Sequence, residues 1–264
     1  MDFLEAVVLA IVQGITEWLP VSSEGVASLV MLNFFNKSLA DSIFISLWLH
    51  TGTLLAAMLY FWSDIREILK NLPKYVKKPR NAEGYSGLTN FLLISTAFTA
   101  AVGVPLILFS LDRFDFAGGT AMAFVGILLV VTGLVQMFAK PSNIVSDTFR
   151  IKDAVLAGVI QGFSVLPGLS RAGLTSSTLL LRKNDPEYAL KLSFLMSIPV
   201  VLMAEIGILV LQKVTFDVFS IVAVLVSFLL GLLTLGSLLR IARKVNFGYF
   251  CIFLGALSLL AFWV

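Results

Sequence analysis

Gln13-Gly-Ile-Thr-Glu17-Trp-Leu-Pro20-Val-Ser22-Ser23-Glu24-Gly25 interrupts an apolar stretch running from Ala6 to Phe35. Gln161-Gly-Phe-Ser164-Val-Leu-Pro167-Gly168-Leu-Ser170-Arg171-Ala-Gly173-Leu-Thr175 interrupts a second, from Ala154 to Leu181. Each stretch is long enough for two half-helices, but proline, glycine and a charge in the middle prevent one continuous helix. Broken backbone of this kind is tolerated at membrane depth only where protein or a cavity covers it. Without gaps, a shift of 148 residues aligns Ala6/Ala154, Val7/Val155, Gln13/Gln161, Gly14/Gly162, Ser22/Ser170, Gly25/Gly173, Ser28/Ser176 and Leu32/Leu180. Recurring Ala, Val and Leu follow from composition alone. The Gln-Gly pairs and aligned serines do not, and they predict an internal repeat.

Outside the two tips the chain is a membrane sequence. Of 264 residues, 58% are hydrophobic and 13% charged, about half the charge expected of a soluble domain. Clear spans are expected at Ser42–Trp62, Leu88–Leu111, Phe116–Ala139, Leu192–Gln212, Val218–Leu239 and Val245–Val264, each long enough to cross the hydrocarbon layer. Trp62, Tyr249 and Trp263 fall near their ends, where aromatic belts form. A single cysteine, Cys251, excludes a disulfide framework or cysteine-rich metal site, and a single histidine, His50, excludes a histidine cluster. No cleavable leader is expected, since the first apolar run follows Asp2 and Glu5 and leads into Glu17.

The net charge of +3 reads as loop topology rather than nucleic-acid binding. Arg66, Lys70, Lys74, Lys77, Lys78 and Arg80, against Asp64, Glu67 and Glu83, place the Ser63–Gly87 loop in the cytoplasm. Lys140, Arg150 and Lys152, and Arg240, Arg243 and Lys244, join it if both broken segments are re-entrant. The first hairpin and N-terminus then lie outside, the second hairpin inside and the C-terminus outside. The expected fold is an all-α polytopic membrane protein, a single membrane domain over 1–264. It has six transmembrane helices plus two re-entrant half-helix hairpins, in inverted halves 1–139 and 140–264. That architecture puts a polar site between the two tips, with helix N-termini aimed at anions.

The tips hold the candidate chemistry. Gln13 and Glu17 share a helix face and can converge on one ligand. Arg171 among Ser170, Thr175, Gly168 and Gly173 is suited to phosphate, as a rigid fork of donors with backbone N–H groups free to approach the same oxygens. Glu17, Glu24 and Arg171 each cost about 2.5 to 3.5 kcal/mol at a helix centre, so their presence calls for a reason. A buried Arg171 clamp on Glu17 or Glu24 is one, and a phosphorylated ligand is the other, which also accounts for the hydroxyls and glycines. His50 reads as a packed residue that could line the same cavity, Glu205 as an acid within two turns of Lys213, and Cys251 as packing.

With these residues the chain resembles, over essentially its whole length, the bacitracin-resistance family of integral-membrane undecaprenyl-diphosphatases. Gln13 to Glu17 followed by Leu19-Pro20-Val21-Ser22-Ser23 is similar to the family's first motif. Pro167-Gly168-Leu169-Ser170-Arg171 with Gly173 and Thr175 is similar to the second, normally Pro-Gly-x-Ser-Arg-Ser-x-x-Thr. The resemblance implies hydrolysis of a polyprenyl diphosphate to the monophosphate, recycling the lipid carrier of cell-wall or surface glycan synthesis at the cell membrane. It implies a divalent cation, Mg2+ or Ca2+, at Gln13 and Glu17, and leaves a homodimer open. Glu17, Glu24, Ser23 and Arg171 are the expected catalytic residues, with Gln13, Ser22, Ser170, Thr175, Gly168 and Gly173 binding substrate. Val26 stands where the family usually has a histidine and Ala172 where it has a serine, so a phosphohistidine at position 26 is impossible. A carrier that moves the lipid phosphate without hydrolysis is the alternative.

Overall fold

The computed structural model describes residues 1–77, 84–111, 118–139, 150–210, 217–242 and 244–260. Lys78, Arg80, Glu83, Lys140, Lys213, Arg243 and Trp263 lie outside them. The described residues form eleven helices and no strand: α1 (Phe3–Thr16), α2 (Ser23–Phe34), α3 (Leu39–Tyr60), α4 (Trp62–Lys77), α5 (Gly84–Leu111), α6 (Gly118–Phe138), α7 (Ile151–Phe163), α8 (Arg171–Leu181), α9 (Pro186–Val210), α10 (Val218–Ala242) and α11 (Gly248–Leu260). Five are long and apolar enough to cross a membrane: α3, α5, α6, α9 and α10. The sixth expected span is described only as the 13 residues of α11, its last four positions lying outside.

Both broken stretches are pairs of short helices. Pro20 and Pro167-Gly168 stop the backbone as their chemistry requires. Ser22 then caps α2 by accepting from the Gly25 N–H at 3.1 Å, and Ser170 caps α8 by accepting from the Gly173 N–H, also at 3.1 Å. The far ends of the pairs match as well. Lys37 bridges to Glu5 at 3.1 Å and Arg182 to Asp153 at 2.6 Å, each tying the end of a pair's second helix to the start of its first. Asn36 and Lys183, beyond α2 and α8, are both left-handed, at φ 50° and 67°.

Helix packing follows small residues. Gly14 of α1 sits against Ser227, Leu230 and Gly231 of α10, while Gly162 of α7 sits against Thr99 and Val102 of α5. A Cβ at Gly126 would meet the Gly255 carbonyl at 2.8 Å, which locks α6 to α11. Such stripes suit helices in lipid, where close van der Waals approach takes the place of the hydrophobic effect. Large apolar side chains on α5, α6 and α10 face outward, among them Leu108, Phe109, Ile127, Leu229 and Leu233.

The basic stretch expected to be a loop contains a helix, α4. Ile65 and Ile68 recur at helical spacing and pack against the core beside Phe61, while Lys70 bridges Glu67 at 2.7 Å on the exposed face. That ammonium holds the Glu67 carboxyl below its ordinary range. Lys191 of α9 reaches Asp64 at 2.7 Å and fixes where α4 docks.

Candidate functional site

The two tips meet each other directly. A Cβ on Gly25 would lie 2.9 Å from both the Cα and N of Gly168, so only glycines permit this approach. Ser22 accepts from the Gly168 N–H at 3.2 Å in addition to capping α2, and these two contacts hold it at φ 63°, a strained value for serine. α6 stitches the junction from the side. Thr132 donates to the Gly168 carbonyl at 2.8 Å and accepts from the Ser170 N–H at 3.0 Å, while Gln136 donates to the Pro20 carbonyl at 2.6 Å. Trp18 anchors the first tip from below, donating to the Gly231 carbonyl at 2.9 Å and packing on Phe194 with ring centroids 5.6 Å apart.

This junction brings Glu17, at the end of α1, beside Arg171, the first residue of α8. The carboxylate is buried and saturated. Its Oε1 accepts from Arg171 Nη2. Its Oε2 accepts from Ser23 Oγ at 2.7 Å and Gln13 Nε2 at 2.9 Å, and faces His50 Nε2 at 3.1 Å. Arg171 spends one nitrogen on this pair; its Nη1 is buried with no hydrogen-bond partner among the described residues. A guanidinium nitrogen left bare in a protein interior costs several kcal/mol unless something fills the place. Gln13 Oε1 is likewise bare. A small cavity, large enough for a water molecule, is bounded by Glu17, Trp18, His50, Thr53, Arg171, Ser197 and apolar neighbours.

The residues expected to bind substrate divide into two groups. Gln13, Glu17, Ser23 and Arg171 converge on one network. Ser22, Ser170, Gly168 and Gly173 build the junction that supports it, and Thr175 donates to the Arg171 carbonyl at 2.7 Å while meeting Ser193 Oγ at 2.6 Å. Glu24 lies in the first turn of α2, where the helix dipole favours an acid, and its carboxylate makes no hydrogen bond among the described residues.

His50 was expected to be a packed residue. It is buried, lines the cavity as that reading allowed, and in addition contacts Glu17. Its signal in the sequence is the stripe Ser46, His50, Thr53 at helical spacing in an otherwise apolar span. Glu205 turns inward beside Thr51, its oxygens out of solvent. Cys251 is buried against Gln136 and the Pro20 carbonyl, as packing requires.

A divalent cation on the Glu17 carboxylate does not fit this donor set. Gln13 presents its NH2 group to Glu17, and the carboxylate already faces four donor groups, a guanidinium among them. Glu24 is the acid at this tip with open lone pairs.

Residues 6–260 match the family described as bacitracin resistance protein BacA. Among similar proteins, one named undecaprenyl-diphosphatase from Methanococcoides burtonii is 48% identical over 260 residues, covering 98% of each chain. Another of that name from Haloarcula marismortui is 40% identical over 263 residues, covering 97% of this chain and 95% of that one. A third, from Methanothrix thermoacetophila, is 39% identical over 265 residues, covering 98% and 96%.

Proposed function

The chain belongs to the bacitracin resistance protein BacA family, and from that premise we propose that it is a multi-pass membrane phosphatase that hydrolyses undecaprenyl or a related polyprenyl diphosphate to the monophosphate. The observation that carries this reading is the Arg171 Nη1, a buried cationic donor with no protein partner among the described residues. A phosphate oxygen satisfies it with a charge-assisted hydrogen bond. The N-termini of α2 and α8 both open at this junction and favour the same anion.

Phosphoryl transfer is mainly positioning and charge neutralisation. Arg171 binds the terminal phosphate, and Glu17 sets the guanidinium plane. Ser23 and Gln13 hold Glu17 in turn, and Trp18 and Leu54 wall the cavity with apolar surface. Glu24, with substrate oxygens, would hold the divalent cation, which when bound neutralises charge on the diphosphate. The product monophosphate lipid serves glycan or cell-wall assembly in the cell membrane. Phosphate release from polyprenyl diphosphate by the purified protein tests the reading, and release unaffected by Arg171→Ala would reject it.

We further propose that α1–α2 and α7–α8 are re-entrant hairpins of two inverted halves. Three pairs of corresponding features support this: the Ser22 and Ser170 caps, the Glu5–Lys37 and Asp153–Arg182 bridges, whose acids are 148 residues apart, and the α1–α10 and α7–α5 packings. Single cysteines introduced at Lys37 and Lys183 test it by impermeant labelling of intact cells. Position 37 should label from outside and position 183 only after permeabilisation; labelling of both from one side rejects the inversion.

A further inference from the structure

Hydrolysis of a diphosphate needs the bridging oxygen to leave with its electron pair, and a proton placed on that oxygen lowers the barrier. Few groups around the cavity can supply one. Arg171 does not lose a proton in proteins. Glu17 faces donors at both oxygens, so it has none to give. Thr53 donates to the His50 carbonyl at 3.2 Å and Ser197 to the Phe194 carbonyl at 2.7 Å, and Glu24, assigned above to the cation, would bind it as a carboxylate with no proton to give. His50 remains.

The ring of His50 is held in a particular way. Nδ1 lies 2.7 Å from the Ser46 carbonyl, which can only accept, so Nδ1 carries a hydrogen. Nε2 lies 3.1 Å from Glu17 Oε2, also an acceptor. With an acceptor beside each nitrogen, both contacts are hydrogen bonds when the ring is an imidazolium. The Nδ1 contact is with backbone inside α3 and fixes the ring, so the proton that Nε2 shares with Glu17 is the one that can be passed on, and His50 lines the cavity together with Arg171.

We propose that His50 is the general acid of the hydrolysis, delivering its Nε2 proton to the bridging oxygen of the diphosphate. This rests on the phosphatase reading above. Water bonds to the terminal phosphorus as the bond from that phosphorus to the bridging oxygen breaks, and the electron pair leaves on the lipid phosphate. Nε2 supplies the proton to that oxygen. The new phosphate then returns one of the attacking water's protons to Nε2, and the ring is restored. Ser46 orients the ring throughout, and Glu17 holds the Nε2–H until substrate arrives.

The experiment compares wild type, His50→Gln and His50→Ala, purified in detergent, for phosphate release from polyprenyl diphosphate, with and without added imidazole. Glutamine keeps an N–H donor for Glu17 but has no transferable proton. Both variants should lose about 10²- to 10⁴-fold in kcat, with KM within about threefold of wild type, and imidazole should restore His50→Ala at least about tenfold while leaving His50→Gln unchanged. Activity of His50→Gln close to wild type would mean that His50 only positions Glu17 and would overturn the proposal, as would failure of imidazole to restore a folded His50→Ala. If His50→Ala does not fold, the kcat of His50→Gln decides. A wild type that binds the lipid but releases no phosphate would reject the phosphatase reading itself, and so is distinguishable from failure of His50 alone.

Discussion

Replacing Arg171 with lysine keeps the positive charge and removes the fork. In the structure one guanidinium nitrogen serves Glu17 and the second is buried without a protein partner among the described residues, in a side chain that lines the cavity. The lysine ammonium has three N–H donors but on a single nitrogen, and that nitrogen, held at the buried Glu17, cannot also occupy the place of Nη1. The phosphate therefore loses one charge-assisted hydrogen bond, about 1.5 to 3 kcal/mol. At 1.36 kcal/mol per factor of ten, kcat/KM for polyprenyl diphosphate should fall about 10- to 150-fold. Stability should change little, because the ion pair survives. Arg171→Ala should behave differently, stripping a partner from a buried carboxylate at a cost of about 3 to 5 kcal/mol and melting well below Arg171→Lys. Phosphate release and thermal unfolding in the same detergent measure both. Arg171→Lys with wild-type kcat/KM would refute the division of labour between the two nitrogens.

Three further outcomes follow from the same geometry. Gly168→Ala should destabilise by about 2 to 5 kcal/mol, since its φ is +107° and a Cβ would lie 2.7 Å from the Val125 carbonyl; thermal unfolding in detergent reads it, and an unchanged melting temperature counts against the tip junction. Glu17→Gln removes the anion between Arg171 and His50 and should cut phosphate release by about 10²-fold or more, which a phosphate assay with a parallel lipid-binding measurement will separate from loss of affinity. Glu24→Gln should raise the divalent-cation concentration needed for half-maximal activity by about tenfold or more, and an unaltered cation titration would remove Glu24 as the residue that holds it.

The tips were legible because they break rules that a membrane helix otherwise obeys. Glu17 and Arg171 are charges in apolar stretches, and proline and glycine beside them forbid a continuous helix. What spacing could not reveal is which polar groups face the ligand. Ser22, Ser170 and Thr175 read as phosphate ligands, yet their oxygens cap helices or bond to backbone and Ser193, because a broken helix creates its own unpaired N–H groups first. His50 was hidden for the opposite reason: it sits alone in a long span, far in sequence from Glu17, and only the packing of α3 beside α1 and α2 brings them together. The sequence of α4 reads as a loop because its charges outweigh the Ile65 and Ile68 stripe that docks it. Val26 stands where the family usually has a histidine, and the imidazole that lines this cavity belongs to a different helix, α3.

The most direct test of the account is inorganic phosphate released from undecaprenyl diphosphate by the purified wild-type protein, beside Arg171→Ala and with binding of the lipid followed in parallel. Wild type should give catalytic, multiple-turnover release that falls to background in Arg171→Ala. Tight, Arg171-dependent binding of the lipid with no phosphate released would contradict it, and would mean that the junction carries a lipid phosphate without cleaving it.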